Sequence, residues 1–138
     1  MNFSNPKLLA ILPSGTVFTA LCQLSGRGRG TKNWISPPVG CLQFSFILLH
    51  NDAASVVWVQ YLLAVAICQA LKTLPGYEWL PLHLKWPNDV YARVDTSEGQ
   101  VLKKIGGILV NSSWAGGAFQ LVVGTSFQTV LLARLSGL

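Results

Sequence analysis

Nineteen consecutive residues, Ala53 to Leu71, carry no formal charge, and this run constrains the fold more than any other feature of the chain. Its length is close to the ~20 apolar residues that a helix needs to cross a bilayer. It is also bounded like a helix. Asn51 or Asp52 can cap its start and Pro75-Gly76 stops it, which predicts a helix over Asn51 to Leu74. Either 53–71 spans a membrane or it is a central helix buried on a sheet, because a helix apolar all round must be covered. Ser55, Gln60, Tyr61 and Gln69 interrupt the run with polar groups, and strand-like segments fill the rest of the chain. The buried helix is preferred, and a membrane location is not expected.

The neighbouring segments predict the sheet. Asn5 to Leu12 reads as a short helix ended by Pro13-Ser14-Gly15, and Thr16 to Leu24 as a strand. Residues 25–40, rich in Gly and Pro with three strong cations, read as a loop. Cys41 to His50, without a charge, returns to strand composition. Leu80 to Arg93 is a strand broken by the turn Pro87-Asn88-Asp89. Asp95 to Gly99 is a hairpin tip, and Val101 to Asn111 and Ala118 to Gly124 are strands joined by SSWAGG. Runs of adjacent strands beside one long helix predict a single α+β domain over 1–138 with a mostly antiparallel sheet.

Composition narrows the class. With 51% hydrophobic and 11% charged residues, the chain is not intrinsically disordered. Its mean hydropathy of +0.45 fits a membrane segment or a globular domain without its polar flanks. Cys22, Cys41 and Cys68 form no CxxC pair, which predicts buried thiols in a reducing, cytoplasmic setting. The opening residues reach Pro13 and Gly15 without the apolar core of a signal peptide. The formal charge is +5, but the cations are scattered apart from Arg27, Arg29 and Lys32 and the pair Lys103-Lys104. Only those clusters suggest anionic ligands. Without an RNP motif, zinc-finger spacing or basic-aromatic helix, nucleic acid is not an expected partner.

Three short pieces carry chemistry. Gly26-Arg27-Gly28-Arg29-Gly30 follows a strand, but Trp34-Ile35-Ser36-Pro37-Pro38 follows it, so no helix opens as it would in a P-loop. Glycines there let the backbone approach a ligand, and the two Arg can meet anionic oxygens. The plain alternative is a solvated basic loop. Lys85, in LPLHLKW beside Trp86-Pro87-Asn88-Asp89, is a cation in an apolar strand and needs a partner, either an anionic ligand or water reached by its extended stem. Gly106-Gly107 within a strand marks a bulge, a close approach to a ligand, or packing against a bulky neighbour. His50 and His83 lie apart and read as structural; Trp34, Trp58, Trp79, Trp86 and Trp114 read mostly as core or interface.

QLSGRGRGTKNWISPPVGCLQFS, LKWPNDVY and KKIGGILVNS, in this order and spacing, resemble the biotin protein ligases, most of all their eukaryotic, fungal-type members. NPKLLAILPSGTVFTA matches as well, so the resemblance covers residues 5–124. It implies a mostly antiparallel sheet with flanking helices, of the class II synthetase type. It implies joining of biotin to ATP, with Mg²⁺, as biotinyl-5′-adenylate, and transfer of biotin to a lysine in the biotin-accepting domains of carboxylases. By the same resemblance Lys85 and Arg29 are the catalytic cations. Gly26, Arg27, Gly28 and Arg29 order over biotin and adenylate, and Gln23 bonds the ureido ring near Ser45 and the Gly106-Gly107 backbone. Trp34 covers the adenine, and Asn88 neighbours the phosphates or metal; no residue is assigned as a metal ligand. The family pattern also has an earlier strand with a Ser/Thr-rich motif, one residue fewer after Trp34, and a different continuation after Gly124. The chain is therefore expected to be truncated at both ends, and a non-catalytic remnant of the fold is the alternative to an active ligase.

Overall fold

The computed structural model describes residues 9, 11–28, 30, 33–34, 36 and 40–129. Strands β1 (Val17–Thr19), β4 (Cys41–His50), β5 (Leu82–Lys85), β6 (Asp89–Thr96), β7 (Gly99–Ala115) and β8 (Ala118–Gln128) form one sheet in the order β1-β4-β8-β7-β6-β5. Every pairing in it is antiparallel. Strands β2 (Gly26–Arg27) and β3 (Asn33–Trp34) make a separate two-stranded ladder. Helix α1 (Val59–Lys72), preceded by a 3₁₀ turn at Val56–Trp58, packs on one face. The expected α+β class with a mostly antiparallel sheet is observed.

The hairpins arise from their turn residues. β7 and β8 are joined by Gly116 and Gly117, with φ of +62° and +81°, the left-handed pair that two-residue hairpin loops favour. β7 and β8 are also longer than expected, taking in much of SSWAGG and continuing to Gln128, because the ladder between them runs unbroken from Gly106↔Phe127 to Ala115↔Ala118. Conversely, the strand expected over 16–24 contracts to β1, and the loop over 25–40 contains the β2–β3 ladder. Of the expected 5–12 helix, Leu9, Ile11 and Leu12 are described; Leu9 is buried against Ile47 and Val122.

The helix is shorter and less buried than its composition predicts. Asp52 starts the turn rather than the α-helix: its carboxylate accepts from the Ala54 N–H at 2.9 Å and the Ser55 hydroxyl at 2.5 Å. The 14 residues of α1 end at Lys72, and the next residue, Thr73, caps the helix, its Oγ1 donating to the Ala70 carbonyl. Val59, Leu63, Ala64 and Ile67 face Ile108, Leu121 and Val123, and Ile67, Cys68 and Leu71 face Leu80, Val90, Ala92, Ile105 and Phe127. The outer side is open, with Trp58 58% and Leu62 67% exposed. A central helix covered all round is thus corrected to a helix covering one sheet face. The spanning alternative is overturned too: among the described residues no helix is long and apolar enough to cross a membrane. The expectation of buried thiols also fails, since Cys22 is exposed and Cys41 and Cys68 are only partly covered; all three are free.

Candidate functional site

The sheet face turned away from α1 is the floor of a cleft of about 1810 Å³. Strand register lays its residues out in rows. Gln43, Ser126, Gly107 and Asp89 stand side by side across β4, β8, β7 and β6, and Ser45, Gly124 and Leu109 form the next row. Most are small or polar, so this face leaves space where the opposite one is filled with Ile, Leu, Val and Phe. The segment carrying Gln23, Arg27, Gly28 and Trp34 supplies a wall.

Among the described residues, Lys104 is the lysine that lines the cleft. Its Nζ lies 2.6 Å from Asp89 Oδ1 and 4.9 Å from the centre of the Trp34 ring. Trp34 is fixed in turn by its indole N–H, which donates to Ser126 Oγ at 2.9 Å. A partly exposed ion pair of this kind contributes only about 0–1 kcal/mol to stability, so its consequence is placement: an ammonium held over an aromatic face beside the floor. The cause is a bulge. Val90 pairs with Gly106 and Tyr91 with Lys104, leaving Ile105 without a partner on β6. The extra residue reverses the alternation of side chains. Ile105 and Ile108 both face α1, and Lys104 and Gly107 both face the cleft.

The paired glycines divide between the two faces. A Cβ on Gly106 would collide with the Phe127 ring and stand 2.9 Å from the Ser126 carbonyl, so Gly106 serves sheet packing and does not line the cleft. Gly107 lines it, and a Cβ there would meet Asn88, Asp89 and Lys104 only at 3.6–3.7 Å. Gly26 resembles Gly106: a Cβ would run into the Trp34 carbonyl, so it permits the β2–β3 approach. Gln23, Arg27, Gly28, Trp34, Ser45 and Asn88 all line the cleft, whereas Arg29 lies outside the described residues.

Lys85 stands opposite Asp89 at the β5 end of the same row but is not among the residues that line the cleft. It is exposed at the end of edge strand β5, its Nζ 5.4 Å from the Tyr91 ring centre, beside a smaller cavity of about 200 Å³ against α1. The apolar surroundings inferred for it belong to Leu82, Leu84 and their neighbours, not to the lysine. The turn after it is a clamp. Asn88 donates its Nδ2 to the Ile108 carbonyl at 3.0 Å, and its own carbonyl accepts from the Ile108 N–H at 2.9 Å. Gln60 donates to the Pro87 carbonyl and Trp86 donates to the Tyr61 hydroxyl, tying the turn to α1. One N–H of the Asn88 side-chain amide is thus engaged by the fold. Lys104, Asp89, Gln43 and Ser126 also line the cleft, although the sequence motifs do not single them out for a site role. The signal for Lys104 was the Lys103-Lys104 pair, one of the two basic clusters.

Lys104, Arg27 and Trp34 thus line one cleft over a floor of mostly small or polar residues in an antiparallel α+β fold. The Biotin/lipoate A/B protein ligase family model matches residues 4–128, and the chain belongs to that family. It is 42% identical to the biotin–protein ligase of Schizosaccharomyces pombe over 123 residues, which cover 80% of this chain and 19% of that protein. It is 38% identical to the human biotin–protein ligase over 118 residues, 83% of this chain and 15% of the other. The bifunctional ligase/repressor BirA of Escherichia coli is 29% identical over 122 residues, 87% of this chain and 35% of BirA. The chain thus spans between about a seventh and a third of the length of these relatives.

Proposed function

We propose that this chain carries the biotin-activating site of a biotin–protein ligase. A biotin carboxylate oxygen attacks the α-phosphorus of ATP, giving biotinyl-5′-adenylate and pyrophosphate. A lysine amine in a biotin-accepting domain of a carboxylase then takes the biotinyl group, and AMP leaves. The observation that carries this reading is Lys104, held by Asp89 over Trp34 in the same cleft as Arg27 and Gly28. The cleft exceeds the ~300–1,000 Å³ usual for one small ligand, which suits two substrates side by side.

Biotin's carboxylate is ionised near neutral pH, so activation needs no general base. The obstacle is the approach of one anion to another, which preorganised cations offset. Lys104 and the loop arginines Arg27 and Arg29 take that role, Trp34 offers its face to the adenine, and Gln23 and Ser45 meet the biotin ring. Mg²⁺ travels with the triphosphate as part of the substrate. Among the described residues no three His, Cys, Asp or Glu side chains gather to hold an ion, and Asp89 is engaged by Lys104. Three free thiols suit a reducing compartment, and we assign the cytoplasm.

The test is biotin-dependent exchange of pyrophosphate into ATP. Lys104→Met should slow exchange roughly a hundredfold to a thousandfold, as loss of one transition-state donor does, while Lys85→Met stays within a few-fold of wild type. The reverse ranking returns the role to Lys85. Biotin binding without exchange in the wild type identifies a ligand-binding remnant, and absence of both overturns the proposal.

A further inference from the structure

We infer that Gln43 reads the cyclic urea of the biotin ring, a role that rests on the proposed function and gives its site a second recognition element beside Gln23. Gln43 is 5% exposed, and neither its side-chain nitrogen nor its side-chain oxygen has a hydrogen-bond partner. Its backbone is not at fault: the carbonyl accepts from the Ala20 N–H at 3.2 Å, and the residue sits in register opposite Ser126. Only the carboxamide is orphaned, and Gln43 is one of the residues that line the cleft. Buried polar groups are nearly always satisfied, and an unpaired amide opposes folding. A buried, unpaired amide on a residue that borders a cleft marks where a ligand settling against the floor would supply the missing partner.

The chemistry of that partner follows from the amide itself. A carboxamide carries an N–H donor and a carbonyl acceptor on one planar edge. Its complement is a planar group with an acceptor and a donor equally close together, as in a lactam or a cyclic urea: the urea oxygen accepts from Gln43 Nε2 while an adjacent urea N–H donates to Gln43 Oε1. The surroundings suit a small ring. Ser45, Gly124, Ser126 and Gly107 flank Gln43 on the floor, and a Cβ at Gly124 would meet nothing closer than the Leu109 carbonyl at 3.8 Å. Gln23 differs in being exposed, with its oxygen accepting from the Ser36 hydroxyl at 3.5 Å. Gln43 therefore discriminates by desolvation: a ring without the urea edge leaves the buried amide unpaired.

The experiment titrates the full chain, as wild type, Gln43→Leu and Gln43→Met, with biotin, with 2-imidazolidinone (the bare cyclic urea) and with ATP, and records thermal melting of each ligand-free protein. Both variants should lose roughly tenfold to a hundredfold in biotin affinity and lose 2-imidazolidinone binding, with ATP affinity unchanged. Their ligand-free melting temperatures should equal or exceed wild type, because an apolar side chain replaces an orphaned amide. Biotin affinity within twofold of wild type in both variants overturns the role of Gln43 and leaves the proposed function standing. A fall in melting temperature with unchanged relative affinities makes Gln43 a structural residue. If either variant is too unstable to titrate, the other carries the same comparison, and failure of both to fold overturns the inference. Wild type that binds ATP but no biotin overturns this inference together with the function on which it rests.

Discussion

Adding one methyl group at Gly106 or at Gly107 should have opposite consequences, although the two residues are neighbours. In Gly106→Ala the new carbon strikes the Phe127 ring and lies 2.9 Å from the Ser126 carbonyl. Neither neighbour can retreat cheaply. Phe127 is packed against Leu80, Val90, Ala92 and Ile105, and the Ser126 backbone is part of the β7–β8 ladder. Overpacking of this kind costs about 1–3 kcal/mol. In Gly107→Ala the nearest atoms stand at 3.6–3.7 Å, an ordinary contact, and no strained φ is involved. Loss of chain freedom in the unfolded state then makes the change neutral or stabilising by up to about 1 kcal/mol. Urea unfolding separates the two: with a slope of about 2 kcal/mol/M, Gly106→Ala should lower the midpoint by roughly 0.5–1.5 M while Gly107→Ala holds or raises it. Pyrophosphate exchange should respond in reverse, because the Gly107 methyl takes up space on the floor of the cleft. Equal destabilisation by both substitutions would refute the division of the pair between the two faces of the sheet.

Two further outcomes test the local chemistry. Asn88→Ala removes the Nδ2 donor to the Ile108 carbonyl and should cost about 1–3 kcal/mol in the same urea assay; weaker ATP binding at unchanged stability would instead return Asn88 to the phosphates. Hydrogen bonds from Ser55 and Ala54 hold the Asp52 carboxyl below its ordinary range, so its contribution is present above the unfolded pKa of about 3.9 and is lost as pH falls through the folded value. The urea midpoint of wild type relative to Asp52→Asn should therefore be higher at pH 5 than at pH 3, and a constant difference would remove Asp52 from the pH response.

Much of the architecture is legible because its signals are local. The Gly116-Gly117 turn, the Asp95–Gly99 tip and the Pro87-Asn88-Asp89 break each report a hairpin through a backbone preference that acts over a few residues. The uncharged run reports a helix for the same reason. Its extent is not legible, because the Asp52 carboxylate favours a turn first, and neither is its burial, because apolar composition does not say which side a sheet will cover.

The sequence by itself determined the α+β class, the hairpins and the family, since these rest on local propensity and on motif order. Only the tertiary structure shows which lysine, among the described residues, lines the cleft. Lys85 stands in an apolar strand on paper, but β5 is an edge and the lysine ends exposed over Tyr91. Lys104 enters the cleft only because Ile105 is bulged out of the β6–β7 register. Side-chain alternation is strict along a strand, so one unpaired residue exchanges its faces, and pairing with a strand elsewhere in the chain settles where that residue falls. Gln43 follows the same logic: its amide is orphaned by what β4 and β8 bring around it, which no stretch of sequence near it records.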